Sequence, residues 1–191
     1  MEERQITADG RTYPLAPPFM VIATQNPIEQ EGTYRLPESQ LDRFLLRLSL
    51  GYPGREAELA ILDTHGGGSV VHELRPVLSS DDVLAMIEAV KTVHVAPALK
   101  HYLIDIAEMS RRHPAVSLGL SPRATLQLAR GIRSRAAAAG RDFATPDDVK
   151  AMASPVLSHR LVVRHEAAMA GGTRESVISE VLASVPVPTS R

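Results

Sequence analysis

The hydrophobic pattern of this 191-residue chain changes its period at residues 51–54, GYPG. Before that point residues 44–50 alternate, with Phe44, Leu46 and Leu48 on one side, which is the period of a β-strand. After it, apolar residues recur every three to four positions, as in amphipathic helices. Glycine and proline at the change mark a break between elements. The pattern predicts an α+β chain in two parts, residues 1–52 and residues 53–191.

The second part is predicted to be helical throughout. Ser121-Pro122 and Thr145-Pro146 each combine an N-cap residue with proline at the first helical position. We expect Pro155 to end the helix that begins at Thr145, and a last helix to cover residues 173–184. Three apolar faces show the helical spacing, formed by Val83, Leu84, Ile87 and Val90, by Leu99, Tyr102, Leu103 and Ile106, and by Leu128, Ile132 and Ala136.

The first part is predicted to contain a hairpin, a short helix at residues 38–42 and two strands. Asp9-Gly10 between two short segments favours a β-hairpin over residues 4–16. Residues 19–23, FMVIA, are continuously apolar, as in a strand buried on both faces of a parallel sheet, and residues 44–50 form the second strand. These elements are too few to cover such a sheet, so we expect them to be the remnant of a larger α/β core.

Composition argues against several classes of function. A net charge of -1 and a pI near 6.7 give no field that would attract nucleic acid. The chain has no cysteine, and its seven histidines lack metal-binding spacing, so we expect no metal site. No apolar run approaches membrane-spanning length, and the N-terminus lacks the apolar core of a signal peptide. We therefore expect a cytoplasmic protein.

Asn26 lies at the carboxyl end of the predicted strand at residues 19–23, in the run ATQNP. Open α/β sheets bind their ligands at this end of the strands. An amide there can hydrogen-bond both an attacking water and a phosphate oxygen. The alternative is that Asn26 only opens the turn before Pro27, and the pentapeptide alone favours this alternative.

Arg43 stands between the predicted short helix and the predicted strand at residues 44–50. From such a junction a long cationic side chain can cross a subunit boundary and meet the γ-phosphate of a neighbour's nucleotide. The alternative is a surface arginine paired with Glu38 or Asp42, which is the commoner fate of an arginine of this kind.

Arg123 is predicted to be the second residue of a helix capped by Ser121. A cation at this end is disfavoured by about 0.3–1 kcal/mol, because the helix macrodipole is positive there. A phosphate docked at the helix N-terminus would remove the conflict, since free N–H groups and the guanidinium would bind the same anion. A solvated, screened arginine is the alternative, but the broken local rule favours phosphate binding.

Four runs of sequence, in this order, resemble the MoxR family of AAA+ ATPases over nearly the whole chain. Residues 19–34, FMVIATQNPIEQEGTY, resemble that family's sensor 1 strand and the loop after it. Residues 36–44, LPESQLDRF, resemble its arginine-finger segment, and residues 121–124, SPRA, its sensor 2 motif. Residues 140–150, GRDFATPDDVK, are similar to a later helix of its lid.

The resemblance implies a role for each candidate residue. Asn26 would be sensor 1, Arg43 the trans-acting arginine finger and Arg123 sensor 2, with the helical part as the AAA+ lid. Members of the family are typically hexameric ring ATPases that use ATP and Mg²⁺ and act as chaperones. Their partners are other AAA+ subunits and, often, proteins with von Willebrand factor A domains. No nucleic-acid partner is implied.

The sequence departs from the family pattern in two motifs. A P-loop requires G-x-x-x-x-G-K-[ST], and none of the three lysines, Lys91, Lys100 and Lys150, follows a glycine. A Walker B acidic pair after an apolar strand is also missing. We therefore expect this chain to be the C-terminal segment of a longer ATP hydrolase and to be inactive alone. The alternative is a non-catalytic helical interaction module with vestigial ATPase motifs.

Overall fold

A computed structural model describes residues 5–25, 37–64 and 74–188. Among these residues, no helix is long and apolar enough to cross a membrane. The elements are, in chain order, β1 (Gln5–Ala8), β2 (Arg11–Pro14), α1 (Glu38–Leu41), α2 (Arg55–Thr64), α3 (Ser80–Thr92), α4 (Pro97–Arg112), β3 (Val116–Leu118), α5 (Pro122–Ala138), α6 (Pro146–Leu157), a 3-10 turn (Ser158–Arg160), β4 (Val162–Val163), α7 (His165–Met169) and α8 (Arg174–Ser184). The α+β class is confirmed: the chain is mostly helical, with two small antiparallel sheets.

The predicted hairpin is confirmed. β1 and β2 pair antiparallel, from Gln5 opposite Pro14 to Ala8 opposite Arg11. Asp9 and Gly10 between them have φ values of 51° and 74°. Positive φ at both positions is the turn geometry whose twist matches the flanking strands, and aspartate followed by glycine favours it.

The two further strands predicted at residues 19–23 and 44–50 are not formed. These residues have no regular secondary structure. Met20 and Ile22 are 77% and 79% exposed, and Leu50 is 98% exposed. A strand requires neighbours for its backbone N–H and C=O groups, and no described segment pairs with either stretch. The apolar pattern is strand-like, but the prediction fails because neither stretch has a partner strand among the described residues.

Among the described residues, the apolar core lies within residues 93–185, which we call the helical unit. Every buried apolar side chain of the described residues falls between Val93 and Val185. Helix α5 packs against α4 and α6, and α8 packs against α4 and α6. Ile106 of α4 and Ile132 of α5 are completely buried. Burial of one such side chain contributes about 1.5–3 kcal/mol, so the helical unit closes a core of its own.

Two details of the helical unit differ from the sequence prediction. Strands β3 and β4 pair antiparallel inside a part predicted to be all helical, because segments about 45 residues apart meet there. Pro155 does not end α6, which continues to Leu157. Proline lacks the N–H that would bond to the carbonyl four residues earlier, and α6 ends two residues after Pro155. The Pro155 carbonyl instead accepts from the Arg47 backbone N–H at 2.9 Å.

The predicted helix starts are confirmed. The Ser121 hydroxyl accepts from the Ala124 N–H at 3.2 Å. Thr145 and Asp148 form a reciprocal capping box, and Arg141 binds both carboxylate oxygens of the buried Asp148 at 2.7 and 2.8 Å. Burial would raise the pKa of Asp148, but the hydrogen bonds from Arg141 and Thr145 outweigh it and lower that pKa. These contacts fix the start of α6 against the end of α5.

Candidate functional site

Residues 37–47, which we call the Asp42 segment, contact the helical unit through four of that unit's side chains: Arg123, His159, Arg160 and Arg174. The segment contains the four-residue helix α1 and the turns that follow it. After α1, the N–H of Arg43 donates to the Gln40 carbonyl and the N–H of Phe44 to the Leu41 carbonyl, both at 3.1 Å. Arg43 therefore lies in the turn just beyond the C-terminus of α1.

Arg160, in the 3-10 turn after α6, is the main anchor of this segment. Its side chain is only 1% exposed. Nε binds the Asp42 carboxylate at 3.0 Å, Nη2 donates to the Asp42 carbonyl at 3.1 Å, and Nη1 donates to the Leu45 carbonyl at 3.2 Å. The guanidinium also donates to the carbonyls of Phe44 and Val156. Its donors are thus directed at the backbone on both sides of Arg43.

The charge of Arg160 is balanced at the site. Burial lowers the pKa of this guanidinium, whereas the charge of Asp42 and its hydrogen bond raise it. A buried cation is tolerated only when it is paired and its donors are satisfied. Asp42 supplies the counter-charge, and carbonyls of the segment and of α6 take the remaining donors.

His159 adds a second contact from the same turn. Its ring is buried, and Nε2 lies 3.1 Å from the Phe44 carbonyl. Burial lowers the pKa of His159, and the nearby positive charges of Arg160 and Arg47 lower it further. The imidazole is therefore neutral at pH 7, with Nε2 donating to the Phe44 carbonyl.

Arg123 lies at the opposite side of the Asp42 carboxylate. Its Nε is 3.6 Å from Asp42 Oδ2, and its side chain is 32% exposed. Asp42 therefore bridges two arginines, Arg160 on one oxygen and Arg123 on the other. This carboxylate provides an anion beside the N-terminus of α5, so the unfavourable position of Arg123 is compensated within the chain.

Arg43 is exposed, and neither of the partners weighed from the sequence binds it. Glu38 pairs with Arg174 at 2.7 Å, and Asp42 pairs with Arg160 and Arg123. Within the described ranges, the Arg43 side chain takes part in no ion pair. The structure therefore does not show the surface ion pair that was the alternative for Arg43.

Of the three predicted site residues, Arg123 contacts the Asp42 carboxylate and Arg43 follows Asp42 in the chain, whereas Asn26 lies outside the described residues. Arg160, the main partner of Asp42, is a site residue that the sequence motifs did not predict. The signal for it was a histidine–arginine pair inside the apolar run at residues 156–163, VLSHRLVV. A charge in such a run indicates a buried, paired side chain.

These residues suit part of a nucleotide-binding site. Arg43 and Arg123 offer exposed or half-exposed guanidinium groups, which bind phosphate oxygens in a bidentate manner. The glycine-rich loop that would wrap the phosphates is not in the sequence. The sequence therefore has arginines whose chemistry suits phosphate oxygens, but not the loop that wraps them.

Two family models match the chain. Residues 1–46 match the ATPase family associated with various cellular activities (AAA), and residues 108–181 match the AAA lid domain. The second match covers most of the helical unit. The first includes Arg43 and Asp42, so the contact between Asp42 and Arg160 joins the two matched parts.

Similar proteins are found over almost the whole chain. It is 40% identical over its full length to the uncharacterized protein YeaC of Bacillus subtilis (strain 168), of which it covers 60%. It is 38% identical over 98% of its length to the chaperone MoxR1 of Mycobacterium tuberculosis (strain ATCC 25618 / H37Rv), of which it covers 52%.

A solved structure is also similar to this chain over almost its whole length. The crystal structure of a protein from Cytophaga hutchinsonii ATCC 33406, assigned as an ATPase, superposes with a TM-score of 0.88 at 32% identity. The match covers 98% of this chain and 60% of that one. The chain thus spans about half to three-fifths of the length of the relatives it matches. Matches to both an AAA segment and an AAA lid, together with MoxR-named relatives, show that the chain is similar to the C-terminal part of MoxR-type AAA+ ATPases.

Proposed function

We propose that this chain is the nucleotide-sensing, finger-bearing segment of an ATPase that couples ATP hydrolysis to chaperone-like remodelling of partner proteins. One observation carries the proposal. Arg43 is exposed and free of ion pairs among the described residues, while the backbone on both sides of it is held by the buried Arg160. The name of the related chaperone MoxR1 supports the remodelling role.

In this proposal Arg43 reaches the γ-phosphate of ATP bound to a neighbouring subunit. Negative charge develops on the transferring phosphoryl group and on the leaving oxygen, and a fixed guanidinium stabilises it. Arg123 contacts the phosphates bound in its own subunit, and Asn26 orients the attacking water. The P-loop and acidic residues that hold ATP and Mg²⁺ belong to a longer enzyme, so this chain contributes charge and sensing to a shared site.

The proposal also has consequences for assembly. A finger that acts in trans requires a ring of identical subunits, for which we propose a hexamer in the cytoplasm. We propose residues 1–52 as part of the AAA+ core and residues 53–191 as the lid. Client proteins with von Willebrand factor A domains are the proposed partners.

A second candidate is a non-catalytic interaction module. The observation that favours it is a helical unit with its own closed core, in a sequence that has no P-loop. It predicts a folded monomer that does not respond to nucleotides and tolerates replacement of Arg43 and Arg123. Loss of turnover on changing Arg43 separates the two candidates.

The test is Arg43→Ala in an assembled ATPase that carries this sequence together with a P-loop domain. We expect turnover to fall about 10³–10⁵-fold, or roughly 4–7 kcal/mol, because a trans finger acts in the transition state. ATP affinity is expected to stay the same. Arg47→Ala, which removes another exposed arginine of the same segment, is the matched control and should leave turnover close to normal. Near-normal turnover of Arg43→Ala would reject the finger and favour the interaction module.

A further inference from the structure

We propose that Arg160 is the positioning residue of Arg43: from inside the helical unit it fixes the backbone that presents the finger. Its effect on catalysis rests on the proposed function of Arg43. Its effect on the conformation of the Asp42 segment is independent of that function.

The geometry of Arg160 places its contacts on both flanks of Arg43. It donates to the carbonyls of Asp42 and Phe44, which precede and follow Arg43, and to that of Leu45. None of these contacts involves the Arg43 side chain, which stays exposed. Arg160 therefore restrains the backbone of the finger and leaves its charged group available.

The chemistry of the contact requires arginine. One planar guanidinium presents five N–H donors in a fixed fork, and here they are shared among four carbonyls and one carboxylate. A lysine has three donors on a compact charge and cannot reach the same set with the same directions. The Asp42 carboxylate fixes the fork through Nε and is itself held on its other oxygen by Arg123.

Such a restraint has a direct catalytic value. An arginine on an unrestrained turn must be ordered each time it meets a phosphate, and this ordering opposes the reaction. Misplacement of a catalytic group by about 1 Å can reduce a rate about 100-fold. We therefore expect loss of Arg160 to lower kcat while the affinity for ATP stays constant, because Arg43 acts in the transition state.

The first test uses the 191-residue chain and amide hydrogen exchange. The N–H groups of Phe44 and Arg47 are direct reporters, because they donate to the carbonyls of Leu41 and Pro155. In Arg160→Met and Arg160→Lys we expect these two amides to exchange at least about tenfold faster, with protection retained in α4 and α5. Unchanged exchange at Phe44 and Arg47 would overturn the proposal.

Two variants serve as matched controls. Arg174→Met removes the exposed contact to Glu38 at the other end of the same segment. Arg164→Met removes an arginine that binds the Val116 carbonyl at 3.0 Å inside the helical unit and does not touch the segment. Neither control should accelerate exchange at Phe44. If Arg160→Met does not fold, Asp42→Asn replaces it, since this variant keeps the carbonyl contacts and weakens the ion pair. Faster exchange of the Phe44 amide in Asp42→Asn supports the proposal, and unchanged exchange contradicts it.

The second test separates positioning from general stabilisation, in the assembled ATPase. Arg160→Lys should lower kcat about 100-fold and leave KM unchanged. Its thermal unfolding temperature should match that of Arg164→Met, which shows that the loss of kcat does not come from general destabilisation. Two results would reject the positioning role: equal effects on kcat and KM, or a normal kcat in a variant whose Phe44 and Arg47 amides exchange faster. If Arg43→Ala is itself without effect on kcat, the proposed finger fails, and exchange at Phe44 and Arg47 still shows whether Arg160 fixes the segment.

Discussion

Similar apolar side chains are buried in the helical unit and exposed in residues 19–25. Ile106 of α4 is completely buried, whereas Ile22 is 79% exposed. A helix satisfies its backbone hydrogen bonds within itself, so amphipathic helices can assemble a core from one stretch of chain. A strand in a parallel sheet depends on neighbours that come from distant parts of a chain. The contrast shows that an apolar run gives a propensity for burial, while topology decides whether the run is buried.

The hairpin of β1 and β2 sharpens this comparison. It is also made of strands, but the two strands are adjacent in sequence and joined by Asp9-Gly10. Pairing therefore forms locally, even though its residues remain exposed. The hairpin forms because its two strands are close along the chain, whereas residues 19–25 have no such neighbour among the described residues. Strand propensity alone does not explain the difference.

The largest expected difference in the free energy of unfolding comes from replacing isoleucine by alanine in the helical unit and in residues 19–25. Ile106→Ala should lower the free energy of unfolding by about 2–5 kcal/mol, because it removes packed methyl groups and leaves a cavity. Ile22→Ala should change it by less than about 0.5 kcal/mol, since this side chain is exposed. Urea unfolding followed by circular dichroism measures both. Equal losses in the two variants would show that residues 19–25 share the core of the helical unit.

A smaller effect concerns pH and the contact between the helical unit and the Asp42 segment. The pKa of His159 is lowered in the fold, so below its ordinary value of 6.5 the unfolded chain binds the proton more readily than the folded one. Stability should therefore fall as pH drops below about 6.5, by up to about 1.4 kcal/mol per pH unit.

The glutamine variant provides the control for that pH effect. His159→Gln retains an N–H donor near the Phe44 carbonyl but does not titrate between pH 7 and pH 5. Chemical unfolding at several pH values should give a flatter profile for this variant than for the natural chain. Identical profiles would mean that His159 does not control the acid response.

Sequence patterns predicted the local parts of this molecule well. The hairpin at Asp9-Gly10, the short helix at residues 38–42 and the caps at Ser121 and Thr145 depend on residues within a few positions of one another. Such signals can be read directly from the chain. The strands at residues 19–23 and 44–50 were predicted wrongly, because their formation depends on partners elsewhere.

The site was only partly predictable for the same reason. Asn26, Arg43 and Arg123 were identified from their motifs, whereas Asp42 was considered as an ion-pair partner of Arg43. Their roles stay predictions. The Asp42–Arg160 pair joins residues 118 positions apart, and no local period encodes such a contact. The one signal was the position of Arg160 itself: a charged residue inside an apolar run indicates a buried side chain that pairs with an opposite charge.

The measurement that tests the account most directly mixes two kinds of subunit in the assembled ATPase. One kind carries Arg43→Ala with an intact P-loop, and the other an intact Arg43 with a disabled P-loop, so that each is inactive alone. If Arg43 acts across the subunit boundary, mixed rings regain ATP hydrolysis wherever an intact finger faces an intact P-loop. The absence of any hydrolysis in rings shown by mass measurement to be mixed would contradict the trans role of Arg43.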